Sequence, residues 1–184
     1  MWVPKAVAAL ALGMLVSTSA LHAQGAEFSL GGGVDLPLGD FDDVAKLGFH
    51  GLAGVSVVPA NWPVGIQVDG NYSQFKDDTP LDVKFQLIYG TANIVYKFKT
   101  AEESRFHPYL IGGGGVYNFK SKGDDVPSGI DDSETKFGIN AGAGFDIKAG
   151  SAGVFIEGRF HDVFTTGTNT TFIPLTIGVR FGGG

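Results

Sequence analysis

Side chains alternate along this chain with a period of two, and they do so in eight separate segments. The pattern is cleanest in TFIPLTIGVRF, residues 171–181. There Ile173, Leu175, Ile177, Val179 and Phe181 share one face, and Phe172, Pro174, Thr176, Gly178 and Arg180 share the other. Only an extended strand has that period. The other candidate strands are residues 28–36, 49–57, 64–73, 83–98, 108–119, 137–148 and 154–162. No helix-period segment interrupts them, so the expected class is all-β. Eight antiparallel strands joined one after another make an up-and-down β-barrel.

Three places strain the pattern. Within 83–98, Val83, Phe85 and Leu87 have one phase, and Ala92, Ile94, Tyr96 and Phe98 have the other. A bulge at residues 88–90 would reconcile them. Within 108–119 a GGGG run leaves the phase ambiguous. Pro174 lacks an N–H, and a closed barrel has no free edge to hide that loss. It is expected near a loosened rim or at a bulge.

Alternation alone does not say which face is inside; the composition of the polar face does. A soluble barrel shows that face to water and carries dense Lys and Glu there. Here it is mostly Gly, Ser, Asn, Gln and Thr. Its few charges come in both signs: Asp35, Asp69, Asp146 and Glu157 against Lys148, Arg159 and Arg180, with His50 and His161 beside them. Small residues and balanced charge suit a narrow lumen, where charges must pair. The apolar face has aromatic residues near its ends: Trp62, Tyr96, Phe98 and Tyr109 toward one boundary, Phe49, Tyr72, Tyr117 and Phe164 toward the other. Two aromatic girdles around an aliphatic band fit a bilayer. An Arg facing lipid at the midplane would cost roughly 2–4 kcal/mol, so Arg180 is expected inward. The reading is a transmembrane barrel, with a soluble lipocalin-like barrel as the competing one.

The connections support this orientation. Residues 37–48, 74–82, 120–134 and 163–170 are longer or more polar; residues 59–62, 99–105 and 149–151 are tighter. Long loops on one side and short turns on the other are the outer-membrane pattern, with both chain ends in the periplasm.

The N-terminus reads as a cleavable secretory signal. Lys5 precedes the apolar run 6–20, and Leu21-His22-Ala23 offers a small residue before a cut. That is the order of a signal peptide, and the run is too short for a membrane anchor. The expected division is a signal peptide over 1–23 and a barrel domain over 24–184.

Composition removes several function classes. There is no Cys, so no thiolate metal site or Cys nucleophile is available. The formal net charge of −6 argues against nucleic acid or anionic lipid headgroups as an electrostatic partner. The GGGG at 112–115 is not a phosphate loop, because no Gly-Lys-Ser/Thr follows it. Acidic clusters occur in the loops: Asp40, Asp42 and Asp43; Asp77 and Asp78; Asp124 and Asp125; Asp131, Asp132 and Glu134. None has the spacing of an EF-hand, and solvated surface loops explain them better than Ca²⁺ or Mg²⁺ contacts do. No catalytic, cofactor-binding or metal site is expected.

The whole mature chain resembles the eight-stranded outer-membrane β-barrel family, the OmpA/OmpX-like "porin family" group. The carriers are the signal peptide, HPYLIGGGGVY, GVFIEGRFHDVF and the aromatic-ended FIPLTIGVRF. The resemblance implies residence in the cell outer membrane, among its lipid and lipopolysaccharide. It also implies insertion by the outer-membrane assembly machinery, which recognises the last strand. Phe181 is then the assembly signal, although family members commonly end on the aromatic residue and here Gly182, Gly183 and Gly184 follow. Some eight-stranded barrels are lipid A deacylases with a His-x-Ser pair. Here His161 is followed by Asp162 and Val163, so that chemistry is not expected. Asp69, Glu157, Arg159, His161 and Arg180 share the inward phase and are expected to form a structural lumen network. Eight strands leave an interior just wide enough for side chains to fill. The expected role is structural, or surface interaction with a host or other ligand through the outer loops. A small-solute pore and a lipid A-modifying enzyme are the alternatives.

Overall fold

The computed structural model describes residues 25–42, 45–59, 62–77, 84–101, 103–122, 133–149, 152–165 and 167–182. The expected signal peptide, Val83, Gly183 and Gly184, and the loop acids Asp43, Asp78, Asp124, Asp125, Asp131 and Asp132 lie outside the described residues. The strands are β1 (Ala26–Leu38), β2 (Ala45–Val57), β3 (Val64–Asp77), β4 (Lys84–Lys97), β5 (Phe106–Lys122), β6 (Ser133–Ala149), β7 (Ala152–Val163) and β8 (Thr170–Gly182). Each pairs antiparallel with the next, and β8 closes on β1, giving an eight-stranded closed barrel. The closing seam runs from Glu27 opposite Gly182 to Leu38 opposite Thr171. Closure leaves no strand edge unpaired, which is the condition for a sheet to cross hydrocarbon.

The two faces separate as the alternation requires. Ile66, Ile94, Phe137, Ile139, Ile156 and Ile177 are exposed on the outside, with Phe137 at 71% and Ile66 at 63%. Asp69, Asn93, Glu157, Arg159 and Arg180 are buried in the lumen. Burying charge in the centre while exposing aliphatics on the outside is the reverse of a water-soluble domain. Trp62, Tyr96, Phe98, Phe106 and Phe145 are exposed toward the end that holds the chain termini. Phe106 stacks on Phe145 at 4.6 Å, and Tyr96 meets Phe98 edge-on at 5.0 Å.

Four sequence expectations need correction. β4 carries no bulge: it pairs in unbroken register with β3 and with β5 along its length. Leu87 and Tyr89 are instead buried inside. The phase change was an apolar stretch of lumen, not a shift in the backbone. Tyr109 and Tyr117 are likewise not girdle residues, since both are buried in the lumen. The glycines decide their phase. A Cβ at Gly115 would lie 2.3 Å from the Gly90 carbonyl oxygen, and one at Gly113 would lie 2.1 Å from that of Ala92. Only Gly fits those inward positions, so Tyr109 and Tyr117, on the same alternation, point inward too. Lys148 follows the inward alternation but is exposed at the barrel end, outside the lumen charges. Pro174 sits at no bulge. It lies opposite Asp35 across the seam, and the β7–β8 ladder passes over Arg159–Pro174 and Phe160–Ile173 without changing register. The missing N–H is absorbed as a local gap in one ladder.

The register shift on β2 lies between Ala45 and Gly48. Ala45 and Gly48 are buried, and Lys46 and Leu47 between them are exposed.

Candidate functional site

The lumen is where this chain concentrates its polar chemistry, and it is built in two layers. The lower layer, toward the chain termini, is a chain of alternating charge. Lys97 Nζ lies 2.6 Å from Glu27 Oε2 and 3.7 Å from Asp146 Oδ2. Asp146 pairs with Arg180. Arg180 Nη2 stands 4.0 Å from Glu157 Oε2. Arg159 bridges the remaining two acids, from Nε to Glu157 Oε1 at 2.6 Å and from Nη1 to Asp69 Oδ2 at 2.7 Å. The order is acid, base, acid, base, acid, base, acid, so no cation or carboxylate in it faces only its own sign. In a low dielectric such pairing offsets a desolvation cost of several kcal/mol per ion, provided the remaining hydrogen-bonding atoms also find partners.

Neutral groups supply many of those partners, and Arg159 Nη2 and Arg180 Nε are buried without one among the described residues. Gln67 donates to Asp69 Oδ1 at 2.9 Å, and Asn93 donates to Asp69 Oδ2 at 3.1 Å. The Tyr109 hydroxyl donates to Glu157 Oε2 at 2.8 Å and accepts from Arg180 Nη2 at 3.1 Å. The Arg180 guanidinium also lies over the rings of Tyr109 and Phe155, at 4.7 and 4.6 Å. Ser56 on β2 donates to Glu27 at 3.4 Å. With that contact every one of the eight strands contributes a side chain to the layer.

The upper layer is aromatic and apolar. Phe75, Leu87, Tyr89, Tyr117, Val163 and Phe172 form one buried cluster. His161 belongs here rather than to the charge chain. Its ring stacks on Phe172 at 4.9 Å, and its Nδ1 is 2.8 Å from the Tyr117 hydroxyl. Beside it, His50 is held between Asp35, 2.9 Å from Nδ1, and Thr176 Oγ1, 2.9 Å from Nε2. The Asp–His–hydroxyl order resembles a nucleophile relay. Yet Asp35 and Thr176 are buried inside the wall, and Gly31 and Gly33 beside them leave no spare room: a Cβ at Gly31 would meet Thr176 Cγ2 at 2.9 Å.

Of the five residues singled out from the sequence, Asp69, Glu157, Arg159 and Arg180 are thus in one connected chain, and His161 is in the layer above it. Sequence reasoning missed Glu27, Lys97 and Tyr109. The first two were legible, since each flanks an outward aromatic (Phe28 or Tyr96) on an alternating strand. Tyr109 was hidden by the glycine run. Phe181 lies outside the lumen, exposed and stacked on Phe28 at 5.8 Å. Among the described residues no cluster of His, Asp and Glu has the arrangement of a metal site.

The architecture matches known proteins. The family model for the outer membrane protein beta-barrel domain matches residues 8–181. No curated protein matches the sequence. Among solved structures, Neisserial surface protein A is similar at a TM-score of 0.65 and 17% identity, covering 86% of this chain and 97% of that one. Ail, the attachment invasion locus protein of Yersinia pestis, crystallised with the heparin analogue sucrose octasulfate, gives 0.56 and 15%, over 85% of this chain and 97% of that one. The outer membrane enzyme PagL gives 0.52 and 17%, over 84% and 98%. At these identities the likeness speaks for the fold alone. With the family model spanning nearly the whole chain, the conclusion is direct: the chain belongs to the outer membrane beta-barrel domain family and resides in the cell outer membrane.

Proposed function

We propose that this is a non-conducting, non-catalytic outer-membrane barrel whose working surface is its long loops, with a structural or surface-interaction role in the envelope. One observation carries the reading: a charge chain joined to all eight strands lies below a packed aromatic layer, so side chains fill the lumen. In this reading Asp69, Glu157, Arg159 and Arg180 hold the wall together from within, and His161 packs the layer above. The long-loop end faces the cell exterior, and the end holding both chain termini faces the periplasm. Residues 1–23 direct export and are removed, and residues 24–184 form the inserted domain. Phe181 is the signal read during insertion. Surface contact of the kind named for Ail fits the same design, because a rigid barrel presents loops without taking part in chemistry. An enzymatic role of the PagL kind is disfavoured by His161, which is covered by the rings of Tyr89, Tyr117 and Phe172.

Planar-bilayer recording on the purified, folded protein tests this. A silent bilayer is expected. Stepwise ohmic conductance would replace the reading with a small-solute pore. Lipid A from cells overproducing the protein is expected to keep its mass, and loss of an acyl chain would establish an enzyme instead.

A further inference from the structure

The charge chain leaves a buried proton donor unused, and two carboxamides beside it are unused as well. Arg159 directs Nε to Glu157 and Nη1 to Asp69, and its Nη2 has no hydrogen-bond partner among the described residues. Among the same residues Asn93 Oδ1 and both amide atoms of Asn140 also lack one. None of these groups can turn to bulk water: Arg159, Asn93 and Asn140 are 3%, 2% and 5% exposed. A buried polar atom without a partner costs free energy, and more so on an ion.

Register sets the three side chains around one spot. Asn93 on β4 is opposite Gly113 on β5, and Gly113 is opposite Asn140 on β6. Glycine puts no side chain between the two amides, and a Cβ at Gly113 would lie 2.7 Å from Asn93 Oδ1. Two inter-strand spacings of about 4.8 Å each separate the strands that carry them, a span that one small molecule closes. Arg159 enters from β7. It is opposite Gly142, two residues along β6 from Asn140, and a Cβ at Gly142 would lie 2.8 Å from its Cγ. Arg159 Nη1 and Asn93 Nδ2 end on the same oxygen, Asp69 Oδ2, at 2.7 and 3.1 Å. Nη2 and Asn93 Oδ1 therefore belong to two planar groups that are both fixed on that oxygen. The Asn93 orientation is set as well. Its Nδ2 also donates to Thr91 Oγ1 at 2.9 Å, and exchanging its oxygen and nitrogen would turn oxygen toward a carboxylate.

We infer that Arg159, Asn93 and Asn140 form a binding site for a structural water molecule, which ties the guanidinium to β4 and β6. The donors and acceptors select the ligand. Arg159 Nη2 and Asn140 Nδ2 offer protons, and Asn93 Oδ1 and Asn140 Oδ1 accept them. Water has two lone pairs and two protons, so it answers all four. A cation would face the guanidinium. An anion would face two amide oxygens, with the Asp69 carboxylate bonded to the same Asn93 and Arg159. An apolar ligand would leave every one of these atoms unpaired. Buried waters make about three hydrogen bonds, and this site offers four. The inference rests on the filled lumen proposed above. With the aromatic layer above and the charge chain below, the molecule exchanges with solvent only when the barrel opens locally, so it is long-lived.

The test uses the full mature protein, folded in mild detergent. In crystals that resolve ordered solvent, a water is expected within hydrogen-bonding distance of Arg159 Nη2, Asn93 Oδ1 and Asn140. Magnetic relaxation dispersion of the water oxygen reads the same molecule in solution, as a long-lived water. The variant Asn140→Leu is expected to lose that contribution, because its side chain takes the space and offers no polar atom. Asn140→Ala is expected to keep it, because water also fills the place of the lost carboxamide. Unboiled gels check that each variant folds, and the crystal arm needs no variant. Carboxamides bonded directly to each other and to Arg159 would overturn the inference. Bromide at the spot after a halide soak would overturn it in favour of an anion site. Equal dispersion from the unaltered protein and folded Asn140→Leu would overturn it too. A silent bilayer with no water at the site would remove this inference alone; a conducting bilayer with the water in place would remove only the filled-lumen reading.

Discussion

Replacing Arg159 by Met removes the cation that two buried carboxylates share. Arg159 is 3% exposed, and its guanidinium reaches Glu157 at 2.6 Å and Asp69 at 2.7 Å. Methionine fills much of the volume, so the perturbation is mainly electrostatic. Asp69 keeps its hydrogen bonds from Gln67 and Asn93, and Glu157 keeps that from Tyr109. Neither retains a full opposing charge of its own, because Arg180 stands 4.0 Å from Glu157 and already serves Asp146. Breaking a buried pair by removing one partner costs about 3–5 kcal/mol. In a domain of this size each kcal/mol moves Tm by roughly 2–4 °C, so a drop of about 6–20 °C is expected. The assay is the temperature at which the folded band is lost on unboiled gels, at one heating time, with intrinsic fluorescence as a second probe. The triple variant Asp69→Asn, Glu157→Gln, Arg159→Met removes charge from both sides and should recover most of the loss. A drop under about 2 °C for the single variant, or no recovery in the triple one, would refute the reasoning, because the carboxylates would then not depend on Arg159.

Three further outcomes are expected. Gly113→Val should abolish folding in detergent, because its Cβ would lie 2.1 Å from the Ala92 carbonyl oxygen, whereas Gly51→Ala should leave the folded fraction unchanged, with nothing within 4 Å of the added methyl. Unboiled gels of refolding reactions read both. Tyr109→Phe should lower stability by about 1–2 kcal/mol in a urea titration, by taking away the hydroxyl that Glu157 and Arg180 share. An unchanged midpoint would mean that the two ions compensate without it. Phe181→Ala should reduce the amount of protein reaching the outer membrane several-fold, measured by immunoblot of the membrane fraction. Normal amounts would show that the aromatic residue is not the insertion signal.

Much of the barrel was legible because period-two alternation is a local property. In β6, β7 and β8 every outward residue named from the sequence lies outside, since charged and polar residues mark the inward phase there even where Phe155 and Phe172 share it. The failures in β4 and β5 have one cause. Apolar side chains there were taken to face lipid, and in β4 and β5 this lumen is itself apolar. Leu87 and Tyr89 therefore looked like a slipped register, and Tyr109 and Tyr117 looked like girdle residues. What separates an inward tyrosine from an outward one is the partner across the lumen, Glu157 or His161, and that partner is about 50 residues away in sequence. Charge pairing was legible as to which residues, because inward charges are few. Which acid meets which base was not, since it depends on the stagger of eight strands at once.

The seam between β1 and β8 gives the charge chain a meaning for assembly. Glu27 stands at the start of the barrel and Arg180 almost at its end. A chain still lacking β8 would hold four of the chain's carboxylates against Lys97 and Arg159 alone. Asp146 and Glu157 would then have no Arg180 between them, and an unclosed sheet would carry uncompensated negative charge toward hydrocarbon. The third cation of the chain and closure therefore arrive in the same step, when the final strand docks.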